Sequence, residues 1–156
     1  MIKLLRLDDR LLHGQVAFTW TPALGVDTLV IANDKLAKDE FRKMTLGLAK
    51  PPGTRLIIKN VAEGTAFLRD AKNAGLKMLV LVDSVSDAFA LAEAIPDIRS
   101  INFGGLRTRD RAKAISKSIF LTDEDIALSR KLLERGLELE IRQVPTDTKQ
   151  LLEPLI

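Results

Sequence analysis

The chain contains a single histidine, His13, which lies in the segment richest in chemically active side chains. There is no cysteine and no tyrosine, so this imidazole must supply any nitrogen nucleophile or proton carrier near neutral pH. Arg10 stands three residues before it, and Asp8 and Asp9 precede the arginine. An imidazole can attack phosphorus, a planar guanidinium can hold phosphate oxygens, and Asp8 or Asp9 can fix the ring tautomer. These residue types indicate reversible phosphoryl transfer through a phosphohistidine.

The elements around His13 favour an anion site. Residues 2–7 are largely apolar and predict a buried strand, and residues 15–24 predict a helix that ends at Gly25. His13 and Gly14 therefore fall between a strand end and a helix start. Unpaired backbone amides point outward there and carry the positive end of the helix dipole.

Other kinds of chemistry fit the sequence less well. A lone histidine is often only a surface or packing residue. A metal site lacks a second histidine or a cysteine, a serine hydrolase lacks a Gly-x-Ser-x-Gly motif, and no glycine-rich nucleotide-binding loop follows the first strand. No metal and no cofactor are therefore expected.

Several motifs resemble one known family along nearly the whole chain. Leu7 to Val16 followed by Trp20 looks like the phosphorylation segment of the IIB components of the bacterial sugar phosphotransferase system, mannose/fructose/sorbose class. The Asp-Arg-x-x-His-Gly-Gln core is the specific element, and Leu12 and Phe103 are mild departures from the family pattern. The further blocks follow in the family's order: Ala32–Asp34, Ala49–Gly53, Asn102–Gly105, Thr122–Asp125 and Arg142–Asp147.

The resemblance implies a phosphocarrier. In that family the histidine at this position accepts a phosphoryl group from the IIA component and passes it to a sugar bound by the membrane components IIC and IID. His13 would then be the phosphohistidine intermediate, Arg10 the cation that contacts phosphate, and Asp8 or Asp9 a supporting residue. The alternative is a regulatory or binding module of the same fold that no longer phosphorylates a sugar.

Four further residues are candidates for phosphate binding by their position. Gly14 and Gln15 follow the histidine at the predicted helix start. Gly104 and Gly105 follow a predicted strand, and a glycine pair lets backbone amides approach a phosphate closely. An ordinary turn is an equally good interpretation of the glycine pair.

Length and composition indicate one compact domain over residues 1–156. At 46% hydrophobic residues the chain can bury one sizeable core. Neither a signal peptide nor an apolar run of about 20 residues is present, so we expect a cytoplasmic protein that docks transiently at the inner face of the membrane. The net charge of +3 is spread along the chain, and nucleic acid is not an expected partner. The one visible basic cluster, beside the glycine pair, comprises Arg107, Arg109, Arg111 and Lys113.

Strand and helix patterns alternate through the first two thirds of the chain. Strands are predicted at 28–32, 55–58, 77–82 and 98–103, and helices at 61–74 and from Asp83-Ser84 through Ala94. An amphipathic helix between the first two of these strands has Ala37, Phe41, Met44 and Leu48 on one face. This alternation predicts an α/β fold, with an open, mostly parallel sheet and helices on both faces.

The last third of the chain predicts an antiparallel edge to the otherwise parallel sheet. A very short strand at 118–121 precedes a helix capped by Thr122, and a short helix ends the chain. Residues 137–141 alternate apolar and charged side chains, which predicts a strand with one wet face at an antiparallel edge. Ligands in such sheets collect at the carboxyl ends of the strands, where Asn33-Asp34 and Asp83-Ser84 also fall. The sequence leaves open which sugar is used. It also leaves open whether the chain forms a homodimer through the edge strand or an apolar helix face.

Overall fold

The computed structural model describes residues 1–156 and contains a seven-stranded sheet. Its spatial order is β3-β2-β4-β1-β5-β8-β9. The first six of these strands pair in parallel, and only β9 runs antiparallel, against β8. The strands are β1 Ile2–Asp8, β2 Thr28–Ala32, β3 Arg55–Lys59, β4 Met78–Val82, β5 Ser100–Gly105, β8 Glu138–Ile141 and β9 Gln150–Leu151.

Helices cover both faces of the sheet, as the sequence predicts. One face carries a cluster of 22 buried apolar residues against α4 (Val61–Arg69), α5 (Val85–Ala94) and α6 (Asp123–Glu134). The other carries a cluster of 12 against a π-helix (Val16–Trp20), α1 (Thr21–Leu24), α2 (Asp34–Ala37) and α3 (Glu40–Ala49). The predicted α/β class, with its open and mostly parallel sheet, is therefore confirmed. None of the helices combines the length and apolar character that crossing a membrane requires.

The prediction for the last strand was wrong in one respect. Residues 138–141 pair in parallel with β5 and are covered on the other side by β9, so β8 is not the edge. Glu140 is only 2% exposed, because it joins a network of buried polar side chains. The antiparallel edge near the C-terminus exists, but β9 forms it.

Two helices have other boundaries than predicted, and a capping aspartate lies at each new boundary. The single amphipathic helix after β2 is two helices, because Asp39 caps α3 by accepting from the amide of Arg42. The helix predicted at 61–74 ends at Arg69, and a short 3-10 turn follows at Ala71–Asn73. A separate hairpin pairs β6 (Lys113–Ala114) with β7 (Phe120–Leu121), and a 3-10 turn at Glu153–Leu155 ends the chain.

The polar residues after β2 and β4 act as helix caps. Asn33 Oδ1 accepts from the amide of Leu36 at 2.8 Å, and Ser84 Oγ accepts from that of Asp87 at 3.1 Å. Burial, then the nearby charges of Asp83 and Asp34, raise the pKa of Asp87. At this sheet edge the charges of Asp83 and Asp34 thus disfavour the ionised form of Asp87.

We expect Asp87→Asn to stabilise the protein at pH 7, by less than about 1 kcal/mol because the side chain is only partly buried. A carboxyl whose pKa is raised on folding binds more protons in the folded state, so stability falls as pH rises through that pKa. The stability gained by Asp87→Asn should therefore shrink as the pH falls through the pKa of Asp87. Urea unfolding of both proteins from pH 7 to pH 4 measures this, and a gain that grows on acidification would contradict it.

Candidate functional site

The site is a tight turn at the carboxyl end of β1. The Leu11 amide donates to the Asp8 carbonyl oxygen at 2.9 Å, and Leu11 has a positive φ of 56°, a conformation uncommon for a residue with a side chain. Leu11 and Leu12 are 1% and 3% exposed and pack into the smaller apolar cluster. Their burial fixes the turn and holds His13 in place.

His13 contacts Asp8 directly. Its Nε2 lies 3.0 Å from Asp8 Oδ2, and the imidazole is 18% exposed whereas the carboxylate is fully buried. The carboxylate also accepts from Arg6 Nη2 and from the Arg10 amide, both at 3.0 Å. A carboxylate held by these donors accepts from the ring, so Nε2 carries the proton and the lone pair lies on Nδ1.

A buried polar network lies beneath this contact. Arg6 Nη1 donates to Asn102 Oδ1 at 2.7 Å and to the Arg142 carbonyl oxygen at 3.1 Å. Asn102 Nδ2 donates to Glu140 Oε1 at 3.1 Å, and Arg142 binds the Glu140 carboxylate through Nε and Nη2 at 3.0 and 2.8 Å. The network therefore ties the histidine's partner to three adjacent strands, β1, β5 and β8.

Charge in the network is balanced by pairing. Burial lowers the pKa of Arg6, while its contacts with Asp8 act in the opposite direction. The hydrogen bond to Glu140 raises the pKa of Arg142. Both guanidinium carbons lie 5.2 Å from the centre of the Trp20 ring, and Trp20 Nε1 donates to the Gln143 carbonyl oxygen at 2.9 Å. Trp20 is 1% exposed, so it belongs to the support of the site.

The two predicted supporting aspartates have different contacts. Asp9 Oδ2 accepts from the Arg107 amide at 2.8 Å and from Arg107 Nε at 3.1 Å, so Asp9 holds the loop after β5. Only Asp8 contacts His13. The Arg10 side chain is 49% exposed, with its Nε 3.9 Å from Asp8 Oδ1, and its guanidinium is free to reach an incoming anion.

Three consecutive backbone amides, beginning with that of His13, have no partner within the protein. The N–H groups of His13, Gly14 and Gln15 make no backbone or side-chain hydrogen bond, and the first bonded amide after them is that of Ala17, which donates to the His13 carbonyl oxygen at 2.9 Å. Gly14 and Gln15 are exposed. Free amides at the start of a helical segment form an anion-binding surface, next to the half-exposed side chain of Arg10. The helix itself begins with a π-helical turn, Val16–Trp20, which the periodicity did not indicate.

Gly104 and Gly105 both lie against residues of β1. Gly104 is buried in β5, and a Cβ there would lie 2.1 Å from Arg6 Cζ. Its missing side chain provides the space that the buried guanidinium occupies. Gly105 pairs with Asp8, and its carbonyl oxygen accepts from the Asp9 amide at 2.9 Å. The placement of Gly104 gives no support to phosphate binding there, and phosphate binding by Gly105 stays a prediction.

Sequence reasoning missed most of the network. Arg6, Asn102, Glu140 and Arg142 were not assigned to the site, and Arg6 was included in a strand interpreted as apolar. The available signal was a charged side chain inside a strand of buried type, which is rarely tolerated without a partner. The basic cluster is largely paired: Arg107 with Asp9, and Arg109 and Lys113 with the first turn of α6. No group of three or more His, Cys, Asp or Glu side chains is arranged to hold a metal ion.

Comparisons with known proteins identify the family of the chain. A family model described as "PTS system sorbose subfamily IIB component" matches residues 2–156. A probable phosphotransferase enzyme IIB component of Streptococcus pyogenes is 36% identical over 163 residues, which cover 100% of this chain and 99% of that protein. The mannose-specific EIIAB component of Escherichia coli is 35% identical over 156 residues, and this chain spans 48% of its length.

Solved structures show the same fold. The IIBSor domain of the sorbose permease from Klebsiella pneumoniae superposes with a TM-score of 0.94 at 28% sequence identity. The superposition covers 99% of this chain and 95% of that domain.

Proposed function

The chain belongs to the sorbose subfamily of IIB components of the sugar phosphotransferase system, and from this premise we propose that His13 is its phosphohistidine. The proposed donor is the phosphohistidine of a IIA component. The proposed acceptor is a sugar held by the membrane components IIC and IID. One domain spanning residues 1–156 would perform both transfers from the cytoplasmic side.

One observation carries the proposal: the only histidine has one nitrogen tied to a buried carboxylate. With the Nε2 proton donated to Asp8, the lone pair on Nδ1 is oriented by the ring and ready for attack. The Nδ1–P bond forms as the N–P bond of the donor breaks. In the second step a sugar hydroxyl oxygen attacks phosphorus, the Nδ1–P bond breaks, and the hydroxyl proton is released.

The surroundings supply what such a transfer requires. Phosphoryl transfer depends on alignment and on stabilisation of negative charge more than on covalent help. The free amides of His13, Gly14 and Gln15 and the half-exposed guanidinium of Arg10 are donors of the right kind. The fixed turn aligns the ring, and its partial exposure lets two successive partners approach.

The experiment is to incubate the protein with phosphoenolpyruvate, the general phosphotransferase proteins and a mannose-class IIA, and to record the intact mass. We expect one acid-labile phosphoryl adduct, and phosphorus NMR should assign it to Nδ1. An adduct that never discharges to any sugar in the presence of IIC and IID would favour the regulatory alternative. No adduct, with IIA demonstrably phosphorylated, would count against the carrier.

The neighbouring residues Asp8 and Asp9 provide a matched test of whether the Asp8 carboxylate assists His13. Asp8→Asn should slow phosphoryl transfer on the order of a hundredfold, because a neutral amide with one oxygen cannot accept from Arg6, Arg10 and His13 together and no longer fixes the ring tautomer. Asp9→Asn removes the same charge one residue away and should leave transfer nearly unchanged, since Asp9 contacts only the Arg107 loop. Single-turnover transfer from phosphorylated IIA measures both, with folding checked by circular dichroism. Equal rates in the two variants would remove Asp8 from the mechanism.

A further inference from the structure

The face of α3 that the sequence suggests for the core is open to solvent. Phe41, Met44 and Leu48 lie three and four residues apart, on one side of the helix. They are 73%, 64% and 86% exposed, and no residue of α3 is fully buried. We call these three side chains the α3 apolar patch. Three bulky apolar side chains grouped on an exposed helix face mark an interaction surface.

The patch lies in a basic segment of the chain. Residues 35–55 contain six lysines and arginines and only Asp39 and Glu40 as acids. This segment therefore has a net charge of +4, whereas the whole chain has only +3. Lys35, Lys38 and Arg42 are exposed and form no salt bridge; the one ion pair in the segment joins Lys43 to Glu40 at 3.0 Å.

A second copy of the chain fits this surface poorly. A ten-residue helix is about 15 Å long and offers a footprint of roughly 150 Å², whereas a stable dimer buries about 800 Å² on each partner. A two-fold contact through the patch would also bring the same unpaired cations together from both copies, and like charges in contact oppose association.

We propose that the α3 apolar patch and its cations dock the protein on an anionic phospholipid bilayer. A short helix with Phe, Met and Leu on one side and basic side chains around them lies in the interface of such a membrane, with the apolar side chains among the acyl chains and the cations at the headgroups. The binding is weak and reversible, because only three apolar side chains insert. This inference goes beyond the proposed function, because α3 contributes nothing to the His13 network.

The test is co-sedimentation of the intact protein with vesicles of phosphatidylcholine alone or of equal parts phosphatidylcholine and phosphatidylglycerol. We expect binding only to the anionic vesicles, and weaker binding when salt rises from about 50 mM to about 500 mM. Phe41→Gln combined with Leu48→Gln should lower the bound fraction about tenfold. The triple change of Lys35, Lys38 and Arg42 to glutamine should do the same. All five side chains are exposed, so the fold is preserved.

Matched controls separate a specific surface from general charge. Phe18→Gln removes a 64% exposed aromatic elsewhere, and the combined change of Lys3, Lys72 and Lys131 to glutamine removes the same charge from other exposed positions. Both should retain binding. Absence of binding to anionic vesicles, equal losses in the controls, or patch-dependent dimerisation in sedimentation velocity would each overturn the proposal. Phosphorylation of His13 should be unchanged in the α3 variants, so the proposed function is tested separately.

Discussion

We expect His13→Ala to abolish phosphoryl acceptance, with a loss of about a thousandfold or more. No other side chain can replace the imidazole, because the chain has no second histidine and no cysteine. Intact-mass spectrometry after incubation with phosphorylated IIA measures the effect directly: the wild type gains one adduct and the variant none.

The same variant should remain folded. The imidazole is partly exposed, and Asp8 keeps its contacts with Arg6 and with the Arg10 amide when the ring is removed. A single lost hydrogen bond of this kind costs about 1 kcal/mol. Urea unfolding and circular dichroism check this. A variant that unfolds would mean that the histidine is chiefly structural, and one that still acquires an acid-labile adduct would show that another residue is the carrier.

The second large effect is expected at Gly104, a buried glycine that packs against the Arg6 guanidinium. A Cβ at this position would lie 2.1, 2.3 and 2.4 Å from the Arg6 guanidinium atoms, so Gly104→Ala must displace a buried, hydrogen-bonded charge. We expect a loss of about 3 kcal/mol in the free energy of unfolding. Phosphoryl transfer should also slow, because the displaced guanidinium no longer holds Asp8. Urea unfolding measures the first effect and single-turnover transfer the second.

Gly47→Ala is the matched control for this change. Gly47 lies within α3, and an added Cβ there would meet nothing within 4 Å. Alanine favours a helix interior over glycine by about 1 kcal/mol, so this variant should be as stable as the wild type or more so, with normal transfer. If Gly104→Ala were equally harmless, the guanidinium would not depend on the space that the glycine leaves.

Local patterns were enough to predict the general fold. Largely apolar strand segments such as 28–32 and 77–82, separated by helical periodicity, indicated a mostly parallel sheet, because strands buried on both faces are apolar almost throughout. Caps such as Thr122, which forms a capping box with Asp125, are likewise local. The prediction failed at the edge of the sheet. Residues 137–141 alternate like an edge strand, yet β9 covers β8, and a strand of only two residues is too short to leave a periodic signal.

The sequence by itself determined the candidate for the proposed chemistry, because a chain with one histidine and no cysteine has only one candidate nucleophile of this kind, and the surrounding motif is local. Tertiary structure decided which aspartate contacts it. Asp8 and Asp9 are adjacent and identical in type, but Asp8 is the last residue of β1 and binds the buried Arg6, whereas Asp9 begins the turn and binds Arg107. The fold also decided that Glu140 and Arg142, more than a hundred residues away, stabilise the site, and that the apolar face of α3 stays in solvent. Such pairings depend on which strands become neighbours, and no local pattern contains that information.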